Sequence, residues 1–214
     1  MKNTLFCFAV PIEARPFIRA AGARWPDAVL ITGMGRSNAG KALRRRLAED
    51  KPDRVISCGF AGALNPSLKV GDIVFDPGQS PGLDRVLAGE GGHRARFCCV
   101  DTVVCKASDK CLLRGSTGAD AVDMESGGLS EVCREANLGF AIVRVVSDSA
   151  DEDLPVDFNR FVTPEDTIDF RRLVLWTAVR PAVMMKLLSW RRRLRSAANR
   201  LARVLIAVGL SGQS

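Results

Sequence analysis

Three acids stand where an apolar run of the chain stops. Glu13 follows the run LFCFAV at 5–10. Glu125 follows AV at 121–122, inside the stretch VDMESGG at 122–128. Asp148 closes FAIVRVVSD at 140–148. Strand interiors avoid Asp and Glu, and like charges brought to one rim repel each other and are costly to desolvate. Three carboxylates there call for a ligand with hydroxyls, a developing positive charge, or a basic nitrogen awaiting a proton. A ribose presents two adjacent hydroxyls to one carboxylate. Breaking an N-glycosidic bond gives the sugar oxocarbenium character, and the leaving base needs a proton. One acid to hold the sugar, one to protonate the base and one to organise the nucleophile would be a full set. Each acid also has a plainer reading. Glu125 suits a helix N-terminus, Asp148 suits a turn after a strand, and Glu13 suits the solvated first turn of a helix.

The surrounding pattern supplies elements to carry them. Apolar runs at 4–10, 28–33, 54–59, 70–75, 96–104, 118–124 and 140–148 read as strands. Helical patterns occupy 12–22, the segment after GMGRSNAG, 106–116 and 127–136. The Gly- and Pro-rich segment 76–96 gives no assignment. Strands alternating with helices, most of them unbroken apolar runs, predict a single α/β domain with a central, mostly parallel mixed sheet flanked by helices. In such sheets ligands bind beyond the carboxyl ends of the strands. The motif GMGRSNAG is not a dinucleotide fingerprint, because Asn38 stands where a third glycine is needed. It reads as a tight turn whose N–H groups are available to an anion.

Composition narrows the chemistry. The 214 residues contain one histidine, His93, read as an exposed loop residue, so histidine-based triads and histidine-rich metal sites have little to rest on. The seven cysteines include no CxxC pair; they read as reduced thiols in a cytoplasmic protein. No uncharged apolar run approaches the ~18 residues of a spanning helix. Net charge is +7, but ten of the 31 basic residues and none of the 24 acidic ones lie in 171–214. The body at 1–170 is therefore mildly acidic and reads as the catalytic domain. The segment 171–214 reads as a basic amphipathic helical tail, and the high pI is not a sign of nucleic-acid binding.

Four stretches in order carry a resemblance. AVPIEA at 9–14, CGFAGAL with VGDIV at 58–64 and 70–74, VDMES at 122–126 and RVVSDSAD at 144–151 resemble the nucleoside phosphorylase and methylthioadenosine/S-adenosylhomocysteine nucleosidase superfamily. The resemblance implies that Glu125 binds the ribose hydroxyls with Met124 against the sugar. It implies that Asp148, oriented by Ser147, protonates the purine at N7, that Glu13 positions water or phosphate, and that Gly59, Phe60 and Ala61 line the nucleophile side. It implies no cofactor beyond water or phosphate as co-substrate, and a homo-oligomer. Superfamily phosphorylases hold phosphate with an Arg and a Ser near the turn of the third strand, where this chain has Ser57 and Phe60. Arg15, Gly35 and Arg36 are the expected substitutes.

From SADEDLP onward, through TIDFRRLVLWTAVRPAVMMKLLSW, the chain resembles the hopanoid-associated phosphorylase branch. That implies release of adenine from adenosylhopane, a nucleoside with a polycyclic lipid at its 5′ carbon, in hopanoid biosynthesis. The tail would then lie on the anionic inner face of the membrane. The competing expectations are a methylthioadenosine/S-adenosylhomocysteine nucleosidase-type hydrolase and a non-catalytic nucleoside-binding protein at the membrane periphery.

Overall fold

Strand β1 (Thr4–Phe8) is buried on both faces, as a near-continuous apolar run in a parallel sheet must be. Its side chains alternate between two cores. Phe6 and Phe8 join Phe17, Ile56, Val143 and Val145 on one face, while Leu5 and Cys7 join Leu43, Val55, Leu129 and Val132 on the other. The computed structural model describes residues 3–25, 28–80, 82–163 and 167–211.

The remaining elements follow in order: α1 (Pro11–Ala21), β2 (Val29–Ile31), α2 (Arg36–Glu49), β3 (Arg54–Ala63), β4 (Ile73–Asp76), α3 (Leu83–Gly89), β5 (His93–Arg94), β6 (Phe97–Cys99), α4 (Ala107–Thr117), β7 (Ala121–Asp123), α5 (Ser126–Glu135), β8 (Gly139–Asp148), α6 (Phe170–Ala178) and α7 (Pro181–Ser211). The sheet runs β2-β1-β3-β8-β4-β5, with β7 beside the end of β3 and β6 beside β7. The four strands β2, β1, β3 and β8 are mutually parallel, whereas β4 runs antiparallel to β8 and β7 antiparallel to β3. The expected mixed, mostly parallel sheet flanked by helices is what the chain forms.

Two segments differ from the sequence expectation. The strand expected over 96–104 is only 97–99 long, and the unassigned 76–96 contains α3, which buries Leu83 and Leu87. Two inward leucines four apart suffice to dock a seven-residue helix, and the surrounding glycines hid that pattern.

The segment 171–214 forms α6 and α7, its last three residues lying outside those described. Its charge sets it apart, but its packing does not. Leu194, Ala197, Ala198, Leu201, Leu205 and Val208 recur at helical spacing and are buried. Most of them join the β-sheet core beside α1. Burying each of the larger ones contributes about 1.5–3 kcal/mol. The basic residues Arg195 and Arg203 stay on the exposed face. The first half of α7 instead packs with α6 and residues 156–161 in a separate cluster around Val156, Phe161 and Leu173.

Candidate active site

From Ser57 onward, β3 is the spine of the site. Ser57 receives a hydrogen bond from Arg144 at 2.8 Å, Phe60 N–H donates to Glu13 at 2.8 Å, and the Ala61 carbonyl accepts from Ser147 at 3.1 Å. Gly62 lies between Asp148 of β8 and Val122 of β7. Four residues of one strand thus reach every acid that the sequence singled out, directly or through a neighbour.

The β3–β8 register shifts between Ala61, opposite Val146, and Gly62, opposite Asp148. Ser147 is the residue left over, as in a β-bulge, which re-aims a side chain at the cost of one ladder position. Its single hydroxyl proton is shared between the Ala61 carbonyl and Asp148 Oδ1, the latter at 2.5 Å. The other oxygen, Oδ2, is 2.6 Å from Lys110 Nζ of α4. Burial pushes the Asp148 carboxyl upward, and the Lys110 ammonium and the Ser147 hydroxyl oppose that shift.

Glu13 sits in the first turn of α1, yet it is buried. Its carboxylate accepts from Ala9 N–H at 3.1 Å and Val10 N–H at 3.2 Å, as well as from Phe60. The plainer reading of Glu13 as a solvated residue is therefore incorrect. It caps its own helix in the reach-back geometry of a capping box and ties that helix to β3. Gly59 makes the approach possible: its φ is +142°, and a Cβ there would stand 2.6 Å from Glu13 Oε1. Desolvation raises the Glu13 carboxyl, with Arg144 and the three backbone donors pulling the other way.

Glu125 precedes α5 and accepts from Gly35 N–H at 2.9 Å. The amide expected to face an anion at the turn before α2 is therefore already used by a carboxylate. Burial is the main cause that pushes Glu125 up to about 7; Glu13 and Asp123 add to it, and Arg144 opposes it.

Arg144 was not singled out in the sequence. It is 1% exposed at the middle of β8. Its guanidinium donates to Asp123 Oδ2 through Nε at 3.1 Å and Nη2 at 2.5 Å, and Nη2 lies 3.8 Å from Glu125 Oε2. Asp123 also accepts from the Ser126 hydroxyl at 2.6 Å and from the Ser126 N–H at 3.3 Å. The acid two residues before Glu125 thus anchors Arg144 and the start of α5. The signal was present: a lone Arg inside the apolar run FAIVRVV must find a buried acid, because an unpaired buried charge is prohibitive. Lys110 gave no comparable signal, since it lies in the polar pattern KASDKCLLRGS.

The other expected contributors divide. Met124 is half-buried beside Glu125. Arg15 is exposed on α1, and Arg36 reaches Glu131 at 3.8 Å. A surface groove between α2 and α5, lined by Arg36, Lys41, Arg44, Asp101 and Glu131, holds none of the three acids. His93 is exposed, on the short strand β5 rather than in a loop. Among the described residues, no group of three or more His, Cys, Asp or Glu is placed to hold a metal ion.

A family model described as the phosphorylase superfamily matches residues 11–75 and 88–179. Among solved structures, the chain is similar to a 5′-methylthioadenosine/S-adenosylhomocysteine nucleosidase from Neisseria meningitidis in complex with methylthio-immucillin-A. The TM-score is 0.72 and the identity 19%, over 99% of this chain and 100% of that one. It is also similar to a mutant futalosine hydrolase of Helicobacter pylori, with TM-score 0.72 and 14% identity over 97% and 98% of the two chains. A third match is a mutant nucleosidase of the same organism with 5′-methylthioadenosine in its active site, with TM-score 0.71 and 15% identity over 97% of both chains. At these identities the likeness establishes the fold.

Proposed function

The chain belongs to the phosphorylase superfamily, and we propose that it cleaves the N-glycosidic bond of a purine nucleoside, releasing adenine. One observation carries this reading: Glu13, Asp148 and, through Arg144, Glu125, all buried, are gathered along β3, and a separate cation serves each side of the group. In this mechanism Glu125 accepts hydrogen bonds from the ribose hydroxyls, with Met124 against the sugar. As the bond between C1′ and N9 lengthens, its electron pair moves onto the base, and Asp148 gives its proton to N7. Positive charge on the sugar is met by the carboxylates around Arg144. The nucleophile oxygen, positioned by Glu13, then bonds to C1′.

Water is the nucleophile that the surroundings favour. The cation acting on Glu13 is Arg144, and its donors point to Asp123 and Ser57. Phe60 N–H is taken by Glu13. Arg15 and Arg36, the expected phosphate ligands, stand outside this set. Water loses its proton to Glu13 or solvent, leaving free base and free sugar. Attack by phosphate would leave ribose 1-phosphate instead.

The substrate we favour is adenosylhopane, which would place the protein in hopanoid biosynthesis in the cytoplasm, peripheral on the inner membrane face, as a homo-oligomer. Support comes from α6 and the first half of α7, which pack on the 156–161 segment following Asp148. Their outer surface exposes Leu175 (74%), Val179 (75%) and Met185 (66%) beside the exposed bases Arg171, Arg172 and Lys186. Exposed apolar side chains on helices that carry basic and no acidic residues suit an anionic lipid surface. No helix among the described residues is long and apolar enough to cross a membrane. Because the second half of α7 is core, this arm is tested by substitution and not by truncation. The variant Leu175→Ser with Val179→Ser should lose sedimentation with anionic vesicles while keeping turnover of a small soluble nucleoside.

The direct test is adenine release from adenosylhopane and from 5′-methylthioadenosine, each with and without phosphate. Phosphate-independent release from the lipid nucleoside is expected. Strict dependence on phosphate would make the enzyme a phosphorylase. Release from methylthioadenosine alone would remove the lipid assignment, and no release from either would leave a nucleoside-binding protein.

A further inference from the structure

Helix α4 buries one side chain fully, and that side chain is a lysine. Lys110 is 0% exposed. Its ammonium is 2.6 Å from Asp148 Oδ2, and it donates to the carbonyls of Ser149 and Glu152 at 2.7 Å each. Three donors meet three acceptors, which is the full capacity of an ammonium. A buried lysine costs desolvation energy that an apolar residue at the same place would not, so packing alone does not account for it.

The neighbouring charges are committed elsewhere. The Glu152 side chain is paired with Arg193 of α7, and Asp153 with Lys106 of α4. Asp151 acts on Lys110 only at a distance and is exposed. Lys110 is thus the cation in contact with Asp148, whose other oxygen is held by Ser147, while Arg193 acts on that carboxyl only at longer range.

We propose that Lys110 is a positioning residue for the reaction: it fixes the orientation of the Asp148 carboxyl and makes that group a readier proton donor to the leaving base. The proposal rests on the reading of Asp148 as the proton donor. A carboxyl in a buried, apolar setting holds its proton too tightly to give it away. An ammonium beside it stabilises the carboxylate that forms as the proton departs to N7. The attraction between Lys110 and Asp148 therefore grows along the reaction, which is the condition for an interaction to lower a barrier. No atom of Lys110 is transferred.

The test compares the pH profile of adenine release for the wild type, Lys110→Met and Lys110→Arg, with the Asp148 carboxyl followed by carbon-13 NMR in each. In Lys110→Met the rate should fall at least about tenfold. The descending limb at high pH should move upward by about one pH unit, and the Asp148 titration should move with it. Lys110→Arg should restore the limb. An unmoved limb and an unmoved Asp148 titration in Lys110→Met, whatever happens to the rate, would overturn the proposal and leave Lys110 a clamp on the 149–152 backbone. Should Lys110→Met not fold, the nitrogen-15 signal of the Lys110 ammonium decides. It should shift between the wild type and Asp148→Asn, and an identical signal in the two would overturn the proposal. A wild type that releases no base from any nucleoside would sink the reading of Asp148, while the NMR titrations would still show whether Lys110 governs its charge.

Discussion

Two buried cations divide the acids of this site unequally. Arg144 faces three buried carboxylates, those of Asp123, Glu125 and Glu13, whereas Lys110 faces one buried carboxylate, that of Asp148, with the exposed Asp151 and Asp153 acting on it only at a distance. On the Arg144 side one positive charge cannot balance three negative ones, and Glu125 is pushed up to about 7, chiefly by burial and with help from its acidic neighbours. On the Lys110 side the count is one to one and the contact is direct. The difference teaches which half of a nucleoside each side suits. On the proposed reading, several carboxyls sharing one cation lie where a sugar becomes cationic, and a balanced pair lies where a proton must be released and the charge left behind be held. This division is also why the acids do not simply destabilise the fold. Buried carboxylates are tolerated when every one has a cation or backbone donors; here each has a cation, together with a backbone N–H or, for Asp148, the Ser147 hydroxyl.

The sharpest way to break the comparison is to remove the crowded cation. Arg144→Met should cost about 3–5 kcal/mol of stability, because it leaves three acids uncompensated in the interior. Chemical denaturation will show this as a large fall in midpoint at neutral pH, partly recovered at pH 5, where the acids can take up protons. Next in size, Asp148→Asn should lower base release by about 10²–10⁴-fold and should also cost stability, because it leaves the buried Lys110 ammonium without its contacting counter-charge. Steady-state kinetics beside a thermal melt separate the two effects.

A smaller effect sharpens the comparison through pH. The Glu125 carboxyl in the folded protein lies above its ordinary value of 4.5, at about 7. Between those values the folded state holds a proton that the unfolded chain has released, so stability is present below pH ~4.5 and is lost as pH rises to ~7. The loss should be about 1–3 kcal/mol, and Glu125→Gln should remove it, as melting temperatures across pH 5 to 8 will show. The smallest effect is at the rim. Arg193 and Glu152 are both partly exposed, so Arg193→Ala should change stability by no more than about 1 kcal/mol.

Much of this was legible in the sequence, and the physical reasons separate what was from what was not. The sheet and the three acids were visible because parallel strands are unbroken apolar runs and an acid at the end of one stands out. Their counter-charges were harder. Arg144 sat in plain view inside β8, but its partner lies 21 residues earlier in the chain, and only the fold joins β7 to β8. Lys110 was hidden because a polar helix offers no sign of which polar side chain turns inward. The packing of the second half of α7 into the core was not visible, because the exposed face of arginines masks an inner stripe of Leu, Ala and Val. Glu13 was legible as an acid at a helix start, but its capture by three backbone amides depends on Gly59, distant in sequence.

The measurement that tests this division most directly is the binding of a nucleoside analogue with a protonated pyrrolidine in place of the ribose, compared with 5′-methylthioadenosine, by calorimetry at neutral pH. If the surplus charge around Arg144 stabilises a cationic sugar, the analogue binds at least ~10²-fold more tightly. Glu125→Gln should then erode that preference, and Lys110→Met should leave it nearly intact. Equal affinity for the two ligands, or a preference that survives in Glu125→Gln and vanishes in Lys110→Met, would contradict the division of labour between the two cations.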